Sequence, residues 1–240
     1  MGPIVTISIV SHKHSAYIRT LLQDLAQFRG PEIEIIVTIN TPEIDDHFCE
    51  GGLIANVIRN PRPKGYGDNH NTAFAISHAP YFAVLNPDLR VNALRMDQLL
   101  EAFIDTKVGL CAPAVRYANG ETADSARIFP SIPNLVARYI GRRHILDYPL
   151  SHNGPLDVDW VAGMFMLFRR SAFLEVGGFD TRYFMYCEDI DICRRLNRAG
   201  WRVRFQPSTH VVHATSRASH RSAQHMRWHA RSMVRFISGF

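Results

Sequence analysis

Residues 4–39 read IVTISIVSHKHSAYIRTLLQDLAQFRGPEIEIIVTI, and the order of patterns within them points to the fold class. Ile4–Val10 is a short apolar run rich in β-branched residues, Ser11–Ser15 is polar, and Tyr17–Phe28 carries apolar side chains at helical spacing. Gly30-Pro31 stops that helix, and Ile33–Ile39 is a second apolar run of strand type. The chain therefore starts as strand, turn, helix and strand.

The alternation continues downstream. Leu53–Ile58 reads as a third short strand, and Lys64–Asp68 as a Gly-containing loop leading into a helix over Asn69–His78. Pro80 ends that helix and Tyr81–Leu85 is a fourth strand. A helix over Leu94–Ile104 and a strand over Val108–Ala114 follow. Strands and helices at this spacing predict an α/β domain with a mostly parallel central sheet. Residues 116–157, with Pro130, Pro133, Pro149 and Pro155, read as an elaborated loop over one sheet edge. Order resumes at Val158–Arg169 and Ala172–Val176, before Gly177-Gly178. A helix over about Asp189–Ala199 stops at Gly200, and short strands at Val203–Phe205 and His210–His213 close the domain. The expected division is a domain over 1–216, with halves 1–115 and 116–216, and a separate helix over 217–240.

The formal net charge of +5 belongs to that last segment, which holds Arg217, Arg221, Arg227, Arg231 and Arg235 and no acidic residue. A nucleic-acid binder carries its basic charge across a face of the domain, so this distribution argues against one. Ser219–Phe240 reads as an amphipathic helix with Met226, Ala230, Met233, Ile237 and Phe240 on one face. Three readings stay open for it: a helix packed on the domain with a solvated basic edge, a peripheral contact with anionic membrane lipid, or arginines reaching a phosphate ligand. No run of about 18 apolar residues spans a membrane, and Met1–Val10 lacks the marks of a signal peptide. Cys49, Cys111, Cys187 and Cys193 form no CxxC pair, which predicts free thiols and a cytoplasmic location.

In open α/β sheets ligands bind at the carboxyl ends of the strands. Polar residues cluster there: Ser11 and His12 after the first strand, Asn40 after the second, Asn86 and Asp88 after the fourth. A turn-forming role explains any one of them; the ordered set points to a binding site. The densest stretch is Phe184-Met185-Tyr186-Cys187-Glu188-Asp189-Ile190-Asp191, with three carboxylates where a helix begins. Helix capping accounts for one or two acids there. Three together raise at least one carboxyl pKa, which suits a general base. Cys187 reads as filler.

These residues also carry a family resemblance. Val161-Ala162-Gly163, Val176-Gly177-Gly178-Phe179-Asp180, Tyr186-Cys187-Glu188-Asp189-Ile190-Asp191 and Arg194-Arg195-Leu196 resemble the C-terminal half of the family 2 glycosyltransferases. Leu85-Asn86-Pro87-Asp88 resembles that family's donor and metal motif, in the form common among rhamnosyltransferase-like members. Lys64-Gly65-Tyr66-Gly67, with Asn69 and Asn71, resembles its Gly-rich donor loop. The resemblance runs from about Val5 to His213. It implies a nucleotide-diphospho-sugar-binding domain of GT-A type, with a donor-binding half over 1–115 and an acceptor and catalytic half over 116–216.

The resemblance further implies inverting transfer of a sugar, L-rhamnose from dTDP-L-rhamnose, to a hydroxyl of a bacterial surface saccharide or its lipid-linked precursor. Asp189 would be the base, beside Glu188 and Asp191. Ser11, His12, Asn40, Gly65, Gly67, Asn71, Asn86 and Asp88 would bind the donor, and Trp160 and Gly163 the acceptor. Asp88 and His213 would hold Mg²⁺ or Mn²⁺. The chain departs from the family pattern at Ser11-His12-Lys13-His14, at Asn40 in place of an acid, and at Asn86 in place of the first Asp of the metal motif. A UDP-hexose donor and a catalytically silent nucleotide-sugar-binding protein remain the alternatives. A nucleotidyltransferase would need a glycine-rich phosphate loop after the first strand, and Ser11–Ser15 contains no glycine.

Overall fold

The computed structural model describes residues 2–28, 32–43, 47–129, 154–214 and 223–239. The loop expected over 116–157 therefore lies largely outside the described residues, as do Gly30-Pro31, Arg217, Arg221 and Phe240. One sheet dominates, assembled from β1 (Val5–Ser11), β2 (Ile33–Ile39), β5 (Asn56–Arg59), β6 (Tyr81–Leu85), β7 (Leu89–Arg90), β8 (Val108–Tyr117), β10 (Leu156–Asp157), β12 (Phe165–Arg169) and β13 (Arg202–His213). Small antiparallel pairs join β3 (Cys49–Glu50) to β4 (Leu53–Ile54) and β9 (Ala126–Arg127) to β11 (Trp160–Val161). The main order is β10-β13-β8-β12-β6-β1-β2-β5, with β7 alongside β13. The strands from β5 to β6 are parallel, β12 runs antiparallel between β6 and β8, and β8 and β13 are parallel again. Strands from both expected halves thus share one sheet.

Period-two alternation sends side chains to two cores. Val5, Ile7 and Ile9 join Ile18, Leu21, Leu22 and Leu25 of α1 (Ser15–Ala26) on one side. Ile36, Phe82 and Val84 face the other side, with Phe74 of α2 (Tyr66–Ile76), Phe173 of α4 (Arg170–Glu175) and Leu196 of α5 (Glu188–Arg198). The short helix α3 (Met96–Glu101) covers the first side through Met96 and Leu99. On the second side Phe74, Phe82, Phe168, Phe173 and Phe179 form a ring cluster, with centroid distances from 4.5 Å (Phe74–Phe173) to 5.9 Å (Phe168–Phe179). Each buried Phe contributes about 1.5–3 kcal/mol. The cluster therefore fixes α2 against the Gly177–Phe179 turn.

Three local expectations change. Ala55 interrupts the strand expected over Leu53–Ile58, so its start pairs with β3 and its end joins the main sheet. The two closing strands are one 12-residue strand, β13, with a register shift between Gln206 and His210. Pro207, lacking a backbone donor, sits in that shift. The C-terminal helix α6 (Ala223–Ser238) docks by a different face from the one expected. Phe236 and Ser232 are buried, whereas Met226 is 60% exposed and Ile237 46%.

Candidate active site

The carboxylates of the Glu188–Asp191 stretch diverge. Tyr186 and Cys187 both take left-handed backbone conformations, φ 71° and 66°, which non-glycine residues hold only when their surroundings enforce it. The chain then enters α5 with Asp189 against the β11–β12 turn. The Gly163 N–H donates to Asp189 Oδ2 at 2.9 Å, and the Ile190 N–H to Oδ1 at 2.8 Å. Burial raises the Asp189 pKa, and these two bonds oppose the rise. Glu188 is buried with Oε2 unpartnered, and burial plus the Asp189 charge push its carboxyl to about 8. Asp191 turns away. Its carboxylate accepts from Arg195 at 2.7 Å and Arg194 at 3.4 Å, and Arg195 also donates to the Val176 and Gly178 carbonyls. The expected catalytic part for Asp191 gives way to an ion pair locking α5 to the Gly177-Gly178 turn. Burial lifts the Cys187 thiol to about 12, so it is no nucleophile.

A second pair of groups meets at the carboxyl end of β6. His213, ending β13, approaches Asp88 with Nε2 to Oδ2 at 3.0 Å, both side chains under 20% exposed. The β7–β13 pairing (Leu89 opposite His213) and the bond from the Ala214 N–H to the Asp88 carbonyl impose this approach. Among the described residues no three His, Cys, Asp or Glu side chains converge to hold a metal ion alone. One carboxylate and one imidazole fit an ion that takes its other ligands from water and a substrate phosphate. The Tyr66 hydroxyl links the two pairs, donating to the Gly163 carbonyl at 2.6 Å with Asn86 Oδ1 at 3.3 Å. Burial and the charges of Glu188, Asp189 and Asp88 hold Tyr66 well above its ordinary value, so it stays a neutral donor.

Several expected donor contacts prove to be supports. Asn40 Oδ1 accepts from the Lys64 N–H (2.8 Å) and Asn60 Nδ2 (2.9 Å), and its own amide donates to the Lys64 carbonyl (3.0 Å). Asn40 thus anchors the start of the Lys64–Gly67 loop. Asn71 exchanges bonds with the Phe179 backbone at 2.7 and 2.9 Å, which corrects its reading as a donor ligand. The two glycines of this loop are pressed against a neighbouring segment. A Cβ on Gly65 would stand 2.8 Å from the Phe184 carbonyl, and one on Gly67 2.5 Å from Phe179 Cβ. Both let α2 approach the 179–184 segment. Ser11 donates to Glu43, whose carboxylate also accepts from the Lys13 and Ser15 N–H groups at 2.7 and 3.1 Å. Glu43 thereby caps α1. His12 is exposed at this turn. Trp160 is buried, donates to the Ile128 carbonyl at 3.0 Å, and lies under the Arg127 guanidinium at 5.3 Å. Its one polar group, the indole N–H, is taken up by that carbonyl.

The sequence profile described as Glycosyl transferase family 2 matches residues 6–177, well over half of the chain. The chain belongs to that family. This glycosyltransferase is 32% identical to Rhamnosyltransferase WbbL of Escherichia coli (strain K12), an alignment covering 98% of this chain and 93% of that protein. It is 34% identical to N-acetylglucosaminyl-diphospho-decaprenol L-rhamnosyltransferase of Mycobacterium tuberculosis, over 65% of this chain and 54% of that one. Its fold is similar to the mannosyltransferase PcManGT from Pyrobaculum calidifontis, solved with GDP-Man and Mn²⁺ (TM-score 0.63, 17% identity, 98% of this chain and 65% of that one). GalNAc-T7, solved with UDP, GalNAc and Mn²⁺, is similar too, with a TM-score of 0.63 at 16% identity, covering 97% of this chain and 48% of that one. The GT-A type fold is thereby established for the transferase.

Four further residues near these groups have no role of their own assigned from the sequence. Glu43 sits in an irregular loop, and Tyr66 is hidden among the glycines. Arg127 holds down the Asp189 pKa from a two-residue strand. His14 lies close enough to Asp88 for that charge to raise its pKa, against a larger lowering by burial. Only the position of His14, at a strand end, could have marked it.

Proposed function

We propose that this family 2 glycosyltransferase inverts the anomeric centre, transferring L-rhamnose from dTDP-L-rhamnose to a hydroxyl of a bacterial surface saccharide or its lipid-linked precursor. The observation that carries the reading is Asp189, fixed by the Gly163 N–H and raised in pKa by burial beside the Asp88–His213 pair. A carboxylate held this way accepts the proton of an acceptor hydroxyl. The acceptor oxygen then bonds to the anomeric carbon from the face opposite the diphosphate. The carbon–oxygen bond to phosphate breaks, and the nucleoside diphosphate leaves with the electron pair. Glu188, held neutral near pH 7, keeps a second negative charge away from Asp189. Tyr66 ties Asn86 to the Gly163 turn and so holds the distance between the donor and acceptor ends of the site.

Asp88 and His213 would hold a divalent ion, Mg²⁺ or Mn²⁺, which supplies charge neutralisation at the departing diphosphate. The donor and acceptor classes are supported by relatives named as rhamnosyltransferases, one of them a diphospho-decaprenol enzyme. The proposed organisation is a transferase domain over 1–216 and a basic helix over 217–240. Competition binding of dTDP and UDP tests the donor. The expected result is dTDP binding at least as tightly as UDP, with affinity lost in EDTA and in Asp88→Ala. UDP binding more than about tenfold tighter, roughly 1.4 kcal/mol, would replace rhamnose by a UDP-hexose.

A further inference from the structure

We propose that the outward face of α6 is a docking surface for an anionic lipid bilayer, fixed beside the acceptor end of the active site. Among the described residues, hydrogen bonds and ring contacts hold the helix to the body by one face. His225 Nδ1 lies 2.7 Å from the Tyr186 hydroxyl, Ser232 donates to the Met185 carbonyl at 2.9 Å, and Trp228 packs on Phe184 at 5.0 Å. Arg194 donates to the Phe236 carbonyl at 2.9 Å and stacks over its ring at 4.0 Å. Every one of these contacts lies on the side defined by His225, Ser232 and Phe236.

The opposite side has a second amphipathic pattern that the fold does not use. Met226, Ala230, Val234 and Ile237 recur at helical spacing, with Met226 60%, Val234 67% and Ile237 46% exposed. Arg227 and Arg231 run along the edge of this stripe and are exposed. No acidic residue lies anywhere in 217–240 to neutralise them. Nucleic acid would match the arginines and leave the apolar stripe in water. A bilayer interface takes both at once, the stripe at the acyl boundary and the guanidinium groups among anionic headgroups. Among the described residues no helix is long and apolar enough to cross a membrane, so the contact is one of a helix lying on the surface.

The position gives the contact a purpose. Residues 184–186, which α6 grips, lead directly into Glu188 and Asp189, so a helix lying on the membrane would present the base to an acceptor carried in that membrane. In this respect the inference rests on the proposed lipid-linked acceptor; the binding itself does not.

The test is co-sedimentation of the full chain with vesicles of phosphatidylglycerol and phosphatidylcholine, or of phosphatidylcholine alone, without donor or acceptor. A wrong donor or acceptor therefore leaves the result intact. The expected result is binding to the anionic vesicles that weakens with salt and is at least about tenfold weaker on pure phosphatidylcholine. Arg227→Glu/Arg231→Glu should cut partitioning by about 25-fold or more, on the order of fivefold for each arginine lost. Val234→Asp should weaken binding as well, with melting temperatures of both variants unchanged. Equal partitioning of the wild-type chain onto both vesicle types would overturn the proposal, as would full binding by the variants. A wild-type dimer that Val234→Asp dissociates, with no vesicle binding, would instead assign the stripe to a second copy of the chain.

Discussion

Asp189, the proposed base, accepts two backbone hydrogen bonds that favour its charged form, while burial raises its pKa. Asp189→Asn keeps the shape and removes the basicity. The expected outcome is a loss of transfer of about 10²–10⁴-fold with donor affinity unchanged, read by kinetics and calorimetry together. Wild-type turnover in the folded variant would end the assignment. Glu188 makes a separate prediction. Its folded-state value, about 8, lies above the unfolded value of about 4.3. The protonated carboxyl therefore favours the native state fully below about pH 4.3, and that contribution is lost as pH rises through about 8. Glu188→Gln cannot ionise, so its melting temperature relative to wild type should climb between pH 5 and 8. A difference that does not change with pH would show that Glu188 is not the carboxyl held neutral. Asp191 could not be told from these two in the sequence, because all three sit in one acidic helix start. What separates them is the partner each finds in space, Gly163 for one and Arg195 for another.

At the scale of elements, strands with strong apolar patterning were legible to the residue: Ile33–Ile39 and Tyr81–Leu85 coincide with β2 and β6. Helix α2 was expected to begin at Asn69 and begins at Tyr66, because the glycines that look like a flexible loop are its first turn. A glycine chosen for a close approach has the same letter as one chosen for a turn. Its neighbour, Phe179, lies more than 100 residues away. Gly67→Ala decides between the two uses. Crowding against Phe179 should destabilise the protein by about 1–3 kcal/mol in chemical denaturation. A phosphate-cradling glycine would lose donor affinity and leave stability alone. The tail shows the same limit. Its apolar periodicity was legible, but the docked face joins Phe236 to His225 and Ser232, two polar residues that hydrophobicity does not single out.

The molecule as a whole brings the residues of the proposed site together where three distant stretches meet: β6 with its following turn, the β11–β12 turn, and α5. The helix α6 braces the last of these from outside. Phe236→Ala should remove that brace at a cost of about 3 kcal/mol or more to the docked state. The expected outcome is faster amide exchange over 223–239 and over 184–187, slower transfer, and little change in exchange of the central sheet. Uniformly faster exchange across β1, β2 and β6 would mean that α6 is part of the global core and no separate brace.

Sheet order also bears on how the chain is made. Strand β6 is flanked by β1, which precedes it, and by β12, whose Phe165 pairs with Leu85 some 80 residues downstream. During synthesis at about 5–20 residues per second, the far edge of β6 therefore waits on the order of 4–16 s for its neighbour. That edge is Tyr81-Phe82-Ala83-Val84-Leu85, apolar throughout and open to pairing with another nascent chain. Slower production, or a chaperone that shields strand edges, should raise the yield of native enzyme without any change to its final stability.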